Sequence, residues 1–256
     1  MFKRVSILVY GVICYAVFFA TFLYAIGWVG NLWVPRAIDT PREGPLGIAL
    51  AIDLALLSLF AVQHSVMARP AFKRAWTKVV PVAAERSTYV LLSSLALIAL
   101  FYWWQPLGGV VWQVESQLAQ YAILGAYAFG WALLLLATFL IDHFDLFGLR
   151  QSWYGFRGQP MPPLEFRTPW LYRHVRHPIY LGWLLIFWSA PTMTVGHLVF
   201  AIATTAYILI AVQFEEHDLI EAHPEYAEYR KRVPMLIPGL GGRASDAAPA
   251  KPAAVG

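Results

Sequence analysis

Residues 5–29, VSILVYGVICYAVFFATFLYAIGWV, form an uninterrupted apolar run. The run follows Lys3 and Arg4 and contains no charged residue. About 20 apolar residues are enough for a helix to cross the hydrocarbon core of a bilayer. The run is also longer than the apolar core of a signal peptide, which spans roughly 7–15 residues. We therefore predict a transmembrane helix that the mature protein retains.

The rest of the chain has the same apolar character. Of its 256 residues, 59% are hydrophobic and 13% are charged, whereas soluble domains are about 45–50% apolar and about 25% charged. Further apolar runs are found at Leu46–Met67, Thr88–Trp104, Gln120–Ile141 and Pro178–Phe214. The chain is thus predicted to be an all-α polytopic transmembrane bundle of about five to six helices, formed by residues 1–238.

The last apolar region is too long for a single span and is interrupted by Pro191-Thr192-Met193-Thr194. We predict a C-terminal helical hairpin whose arms are Pro178–Ala190 and Val195–Phe214. The first arm is short, which leaves open whether it crosses the bilayer completely.

The distribution of basic residues predicts the orientation of the bundle. Of the 19 Lys and Arg residues, 17 lie on the side of the two chain termini, and only Arg36 and Arg42 lie on the other side. Lysine and arginine are retained on the cytoplasmic side during insertion. We therefore expect an integral protein of a bacterial inner membrane with both termini in the cytoplasm.

Composition excludes several classes of function. The only cysteine is Cys14, so an intrachain disulfide, a thiolate zinc cluster and an iron–sulfur site are excluded. The net charge is +4, but the basic residues lie in short loops rather than on one face, and we expect no nucleic-acid partner. Residues 239–256 are rich in Gly, Ala and Pro and are predicted to form a disordered tail. The oligomeric state is left open.

The stretch YRHVRHPIYLG, residues 172–182, places charged and aromatic residues directly before an apolar helix. Proline suits the first position of a helix, so Pro178 predicts that the helix begins there. A helix N-terminus attracts anions, and Arg173 and Arg176 would add to that attraction. The alternative is a basic membrane flank with an aromatic anchor.

A second polar stretch, QFEEHDLIE at residues 213–221, follows the last apolar run. Four acids at a helix end oppose the helix dipole if the helix stops soon after them. Adjacent helical residues diverge by about 100°, so Glu215 and Glu216 cannot face one point equally. We predict that one meets a ligand while the other pairs with an arginine. The alternative is a solvated helix extension with salt bridges to Arg230-Lys231-Arg232.

These elements together resemble a known C-terminal signature. Arg176-His177-Pro178-x-Tyr180-x-Gly182, a hairpin, Glu215-Glu216-x-x-Leu219, Tyr226-x-x-Tyr229 and Val233-Pro234 follow one another in order. The pattern is similar to that of the isoprenylcysteine carboxyl methyltransferase and phospholipid methyltransferase superfamily. In that superfamily the signature binds S-adenosylmethionine at the cytoplasmic membrane face. The chain departs from it at His223-Pro224, where the family often has a glycine.

The resemblance extends into the N-terminal half and covers most of residues 1–238. Gln63-His64-Ser65-x-Met67-Ala68-Arg69-Pro70 and Glu85-Arg86-Ser87-Thr88-Tyr89 look like the methanethiol S-methyltransferase branch. They also look like a related membrane family linked to nitrogen-oxide metabolism. The turn at Pro191–His197 resembles the methanethiol enzymes as well.

The resemblance implies which residues bind the cofactor. They are Tyr172, Arg173, Arg176, His177, Pro178, Tyr180, Gly182, Glu215 and Glu216. Arginine or a helix N-terminus suits the carboxylate of S-adenosylmethionine, glutamate suits its ammonium and hydroxyls, and aromatic faces suit its sulfonium. No metal is implied, and Asp142-His143-Phe144-Asp145 is interpreted as a solvated helix boundary rather than a metal cluster.

Two polar residues of the second apolar run are interpreted separately. Asp53 should face the bundle interior, where it either pairs or is protonated. His64 lies at the expected depth of the cofactor and is our candidate catalytic residue, a base for a thiol proton. The alternative is that His64 simply hydrogen-bonds a neighbouring loop.

These features predict methylation of a small thiol by S-adenosylmethionine, with methanethiol as acceptor and dimethyl sulfide as product. The expected partners are therefore the small thiol and the lipid bilayer. One alternative is the same chemistry on an isoprenylcysteine or lipid acceptor. Another is a non-catalytic membrane protein, like the relatives linked to nitrogen oxides.

Overall fold

The computed structural model describes residues 1–41, 45–163 and 166–240. Its helices are α1 Phe2–Gly30, α2 Leu46–Ala68, α3 Pro70–Trp76, α4 Val82–Trp103, α5 Gln117–Ile141, α6 His143–Leu146, α7 Leu149–Arg157, α8 Pro178–Trp188, α9 Val195–Ala222 and α10 Tyr226–Arg232. Two short strands, β1 Val110–Gln113 and β2 Thr192–Thr194, and a 3₁₀ turn at Trp170–Arg173 complete the described elements.

Five helices, α1, α2, α4, α5 and α9, are long and apolar enough to cross a membrane, and α8 is a shorter apolar helix. The prediction of an all-α integral membrane bundle is therefore confirmed. The apolar runs gave the helix positions because a helix in lipid satisfies its own backbone hydrogen bonds and needs only an apolar surface of sufficient length.

Contacts between helix termini define one end of the bundle, which we call the basic end. There the Tyr10 hydroxyl lies 3.0 Å from that of Thr88, and the Tyr15 hydroxyl lies 2.9 Å from His143 Nε2. Arg86 Nε donates to the carbonyl of Leu146 at 2.8 Å. The start of α1, the start of α4 and the residues after α5 thus lie together.

The opposite end, which we call the sheet end, contains the two strands. β1 and β2 pair antiparallel, with Val110 opposite Thr194 and Gln113 opposite Thr192. The predicted hairpin arms α8 and α9 are present, but their connection forms a strand as well as a turn. Pairing with β1 supplies hydrogen-bond partners for backbone groups that lie outside any helix.

Asp53 is fully buried and its Oδ1 accepts a hydrogen bond from the backbone N–H of Gln105 at 2.8 Å. The prediction that Asp53 faces the interior is confirmed, and the choice between a paired and a protonated carboxyl group stays a prediction. Its partner is a backbone amide just beyond the end of α4, so the carboxyl group joins α2 to the sheet end.

α8 packs directly against α5 at a pair of glycines. A Cβ atom on Gly182 would lie 2.9 Å from the carbonyl oxygen of Gly130, and one on Gly130 would lie 3.0 Å from the carbonyl oxygen of Gly182. The absence of side chains at both positions is what lets the two backbones approach. The neighbouring core includes the fully buried Ile186.

Two helices are longer than the apolar runs predicted. α4 begins at Val82 rather than Thr88, and α9 continues to Ala222 rather than ending near Phe214. Both extensions are polar, which an apolar-run criterion omits. Glu215 and Glu216 consequently lie inside α9, so the conflict with the helix dipole at its last turn does not apply to them.

The tail prediction is only partly within the described residues. Gly239 and Leu240 are in a turn, and residues 241–256 lie outside the part of the chain that the structure describes, as does Arg42.

Candidate functional site

The segment before α8 is held by the chain that follows α10. The backbone N–H of Arg176 donates to the carbonyl of Pro234 at 2.9 Å, and that of His177 donates to the carbonyl of Met235 at 3.1 Å. Pro178 then begins α8 at its first position. Because His177 is at the helix N-cap, this pairing sets the direction of its side chain.

The carboxylate of Glu216 is the centre of a buried ion-pair cluster at the basic end. Its side chain is 1% exposed, and Oε1 accepts a hydrogen bond from Arg176 Nε at 2.7 Å. His177 Nε2 lies 2.9 Å from the same oxygen, and the Tyr226 hydroxyl donates to it at 3.3 Å. Arg230 Nε lies 2.9 Å from Oε2. We call these five residues the Glu216 cluster.

Arg176 also closes the end of α10. Its Nη1 donates to the carbonyl of Arg230 at 2.9 Å and to that of Val233. Carbonyls at a helix C-terminus lack partners within the helix and attract a cation. Arg176 therefore joins α8, α9 and α10 in one arrangement.

Buried tyrosines lie beneath this cluster. The Tyr229 hydroxyl donates to the carbonyl of Tyr172, and the Tyr172 hydroxyl donates to the carbonyl of Ala137 at 3.3 Å. Burial raises the pKa of Tyr172, Tyr226 and Tyr229 well above the usual value for tyrosine. Their hydroxyls therefore stay protonated and act as hydrogen-bond donors across the physiological pH range.

Glu215 has a different environment from its neighbour. It is half-buried, and its Oε2 accepts a hydrogen bond from the Tyr180 hydroxyl at 2.7 Å. Glu216 is the member of the pair that binds arginines, whereas Glu215 contacts a tyrosine, and its contact with a ligand stays a prediction. The predicted salt bridge between the acidic segment and Arg230 is also present.

An aromatic group surrounds His64 on the side of Glu215 and Tyr180. Phe60 stacks on the His64 ring at 5.1 Å between centroids, and Phe60 packs edge-on against Tyr207 at 6.3 Å. Tyr180 lies within electrostatic range of Glu215 and of the aromatic residues Tyr207 and Tyr89. We call Phe60, His64, Tyr89, Tyr180 and Tyr207 the aromatic chamber.

His64 is half-buried and is held by α4. The Tyr89 hydroxyl lies 3.0 Å from Nδ1 and 2.9 Å from Nε2, and the Ser93 hydroxyl lies 3.2 Å from Nδ1. The alternative prediction was that His64 hydrogen-bonds a neighbouring loop. That prediction is wrong, because Tyr89 and Ser93 both lie on α4. Two hydroxyls thus orient the imidazole towards the chamber.

Several predicted residues lie away from this centre. Arg173 is exposed and its Nε donates to the carbonyl of Thr168 at 3.3 Å. Gly182 is buried against α5 and Tyr172 is buried beneath the Glu216 cluster, so both support the site from behind. Their predicted contact with a cofactor stays a prediction.

The interpretation of Asp142-His143-Phe144-Asp145, the segment after α5, as a solvated helix boundary is wrong. His143 and Asp145 are 5% and 7% exposed. His143 Nδ1 bonds the Thr138 hydroxyl at 2.9 Å, and Arg150 Nη1 lies 3.0 Å from Asp142 Oδ2. Burial lowers the pKa of His143, and Asp142 opposes that effect. These side chains anchor α6 and α7 to the bundle.

The site also contains residues that the sequence prediction did not include. The sequence pattern places Tyr226 in a motif without a role and Arg230 only in a salt bridge. It gives no signal for Tyr207. A tyrosine in an apolar helix has no local signal that separates a site residue from a core residue.

The fold and the site define an integral membrane protein of the polytopic α-helical class, with a buried cluster of ion pairs at one end. Comparison with known proteins identifies the family. The chain is 55% identical to methanethiol S-methyltransferase 2 of Bradyrhizobium diazoefficiens over 244 residues, which is 95% of this chain and 94% of that protein. It belongs to the methanethiol S-methyltransferase family and is a methyltransferase.

Other relatives agree with this assignment. The chain is 49% identical to the methanethiol S-methyltransferase of Mycobacterium tuberculosis over 92% of this chain and 97% of that protein. It is 34% identical to nurim of Rattus norvegicus over 67% of this chain and 68% of nurim. No protein-family model and no solved structure matches the chain.

Proposed function

We propose that this protein transfers a methyl group from S-adenosylmethionine to methanethiol and releases dimethyl sulfide. The names of its relatives support the acceptor, because they are methanethiol S-methyltransferases. The observation that carries the proposal is that the Glu216 cluster and the aromatic chamber meet at the pair formed by Tyr180 and Glu215. A charged ligand and an apolar acceptor can therefore be held side by side.

The donor set of the basic end fits S-adenosylmethionine. Arg176 and Arg230 provide two positive charges for the single carboxylate of Glu216, which leaves capacity for the carboxylate of the ligand. Arg230 is 44% exposed at its side chain and is the accessible member of this pair. Glu215 offers an acceptor for an ammonium group or ribose hydroxyls.

The aromatic chamber fits a sulfonium group and a small apolar acceptor. Tyrosine faces attract a desolvated cation, and Tyr180 connects them to Glu215. When bound, S-adenosylmethionine supplies an electrophilic methyl group on a positively charged sulfur. The task of the chain is to align the acceptor sulfur with that methyl carbon and to exclude water.

His64 is the proposed base in this arrangement. A thiol is a weaker nucleophile than a thiolate, so removal of its proton speeds the reaction. For this transfer, a ring nitrogen would exchange its hydroxyl partner for the thiol and accept the thiol proton, as the acceptor sulfur takes the methyl group that the bound donor would supply. Tyr89 and Ser93 hold the ring in position for this transfer.

We also propose that the basic end faces the cytoplasm, where S-adenosylmethionine is made and where membrane proteins retain their lysines and arginines. Methanethiol is small and apolar enough to arrive through the bilayer. It offers few contacts, so the rate must come from a confined chamber and a well-held donor rather than from tight acceptor binding.

The experiment measures two quantities on purified protein in detergent or lipid vesicles. Titration calorimetry measures binding of S-adenosylmethionine, and headspace mass spectrometry measures dimethyl sulfide formed from methanethiol. We expect both in the wild type. Absence of donor binding would contradict every methyltransferase role. Efficient methylation of a prenylcysteine without formation of dimethyl sulfide would transfer the assignment to a lipidic acceptor.

A further inference from the structure

Two polar bridges at the basic end join α2 to α9. The Ser65 hydroxyl lies 3.0 Å from the hydroxyl of Tyr207, and Arg69 Nη1 lies 2.9 Å from Asp218 Oδ2. Arg69 Nε also donates to the carbonyl of Ser65 at 3.3 Å, which connects the two bridges. We call this line of contacts the α2–α9 seam.

The outer side of the seam is apolar and exposed. Val62 and Val66 on α2 and Ile210 and Phe214 on α9 are all exposed. In a membrane-spanning helix, such residues face lipid. The polar bridges between Ser65, Tyr207, Arg69 and Asp218 therefore lie between the lipid and the interior of the bundle.

The inner side of the seam is the aromatic chamber. Tyr207 is half-buried and packs edge-on against Phe60, whose other contact is the stacked ring of His64. Tyr207 and Glu215 also lie within electrostatic range of one another. The phenol ring of Tyr207 thus lies against Phe60, which stacks on the proposed base, and its hydroxyl is held by α2.

We propose that Tyr207, fixed by its hydrogen bond to Ser65, is the specificity-determining wall that limits the acceptor to a very small thiol. The inference rests on the proposed function, because it assigns the acceptor side of that site. A chamber that binds by apolar contact gains affinity with each added methylene, so it cannot reject a longer thiol by weak attraction. To reject a longer thiol, the chamber must already be filled where the extra methylene groups would lie. We infer that the Tyr207 ring fills that space.

The rigidity of the wall follows from its contacts. Phe60 contacts the Tyr207 ring in an edge-on arrangement, and Ser65 on the neighbouring helix α2 hydrogen-bonds the Tyr207 hydroxyl. Removal of the hydroxyl alone keeps the volume filled, whereas removal of the ring opens a cavity beside Phe60 and His64. These two changes therefore separate the volume of Tyr207 from its hydrogen bond.

The test is a competition between methanethiol and butane-1-thiol in one vial. Headspace mass spectrometry measures dimethyl sulfide and butyl methyl sulfide, and their initial rates give the ratio of kcat/KM for the two thiols. The proteins are the wild type, Tyr207→Ala, Tyr207→Leu and Tyr207→Phe. Ile210→Ala is the matched control, because it removes a large side chain from the exposed side of the same helix.

We expect Tyr207→Ala to shift the ratio towards butane-1-thiol by on the order of tenfold or more, with a smaller shift for Tyr207→Leu. Tyr207→Phe and Ile210→Ala should keep the wild-type ratio to within about threefold, since both leave the wall filled. Each variant is accepted as folded only if its circular dichroism spectrum and size-exclusion profile match those of the wild type.

Two results would overturn the inference. One is an unchanged ratio in folded Tyr207→Ala and Tyr207→Leu. The other is loss of turnover with both thiols in those two variants while donor binding persists, because a wall is not required for methylation of methanethiol. Failure of the proposed function is seen separately, as a wild-type protein that methylates neither thiol.

Discussion

One carboxylate lies at each end of the α8–α9 hairpin, half-buried at the sheet end and buried at the basic end, and their surroundings differ. At the sheet end, Asp39 Oδ2 accepts a hydrogen bond from Asn31 Nδ2 at 2.7 Å, and its Oδ1 accepts one from the Thr194 hydroxyl. His197 Nδ1 lies 3.7 Å from Oδ2. At the basic end, Glu216 is held by two guanidinium groups, an imidazole and a tyrosine hydroxyl.

This difference separates a structural carboxylate, Asp39, from Glu216, which we place in the proposed donor site. The partners of Asp39 are two neutral groups and a histidine, so its charge is balanced by hydrogen bonds and no cation is left over. Glu216 has more positive charge around it than it can neutralise. We therefore expect loss of Asp39 to affect folding and loss of Glu216 to affect ligand binding as well.

The largest effect is expected next to the basic end, at the proposed base. His64→Ala should lower turnover at neutral pH by about 10²–10⁴-fold while donor affinity is kept. The loss should shrink as the pH rises and thiolate becomes plentiful. Headspace rates between pH 6 and 10, with calorimetry on the same samples, measure both quantities. A loss that is independent of pH would remove His64 from the mechanism.

The next effect concerns the excess positive charge directly. Glu216→Gln removes the carboxylate that holds Arg176 and Arg230 in position, and we expect donor affinity to fall by about tenfold to a hundredfold because misplacement of the two arginines outweighs the added positive charge. The free energy of unfolding should fall too, because a buried ion pair loses one partner. Calorimetry and thermal unfolding measure the two effects. Unchanged donor affinity in a folded Glu216→Gln variant would indicate that the Glu216 cluster, like the contacts of Asp39, has only a structural role.

The sheet end provides the counterpart. Burial raises the pKa of Asp39, but hydrogen bonds from His197, Thr194 and Asn31 outweigh that effect and hold the pKa below its ordinary value. The stabilisation is present above the unfolded pKa of about 3.9 and is lost as the pH falls through the lower folded value. Asp39→Asn should therefore cost about 1–3 kcal/mol at neutral pH, and this cost should shrink as the pH falls through the lowered pKa of Asp39.

Thermal unfolding in detergent between pH 3 and 7 checks this prediction. Donor affinity of Asp39→Asn, measured at neutral pH, should equal that of the wild type. If Asp39→Asn lost as much donor affinity as Glu216→Gln, the proposed distinction between a structural Asp39 and a donor-binding Glu216 cluster would be wrong.

The smallest effect tests how far the binding site extends. Arg230→Ala should weaken donor binding by about threefold to tenfold, because its side chain is partly exposed and its contribution is screened by solvent. Arg173→Ala is the matched control, since Arg173 is exposed and bonds only a carbonyl among the contacts described for it. Equal losses in both variants would indicate general attraction rather than a specific contact.

The sequence was sufficient for the long apolar helices and for the different directions of the two glutamates. Apolar length predicts spans because lipid imposes a single requirement on them, and the 100° step of a helix separates Glu215 from Glu216 whatever surrounds them. The strand pair was missed, because Val110–Gln113 and Thr192–Thr194 are too short to show a period.

The surroundings of His64 were missed for a different reason. Tyr89 and Ser93 are 25 and 29 residues away along the chain, and Tyr207 meets Ser65 across 142 residues. Only the packing of α2 between α4 and α9 brings them together, and no local pattern encodes that packing. A tyrosine and a serine in apolar runs are as typical of an ordinary core as of a site.

The pairing of Arg176 and His177 with Pro234 and Met235 has a consequence for biosynthesis. Synthesis runs from the N-terminus, so residues 226–236 are made after α8 and α9. Until that segment packs against the two helices, Glu216 lacks Tyr226 and Arg230, and the carbonyl partners of the residues before α8 are absent. The Glu216 cluster is therefore completed only after both arms of the hairpin have been made.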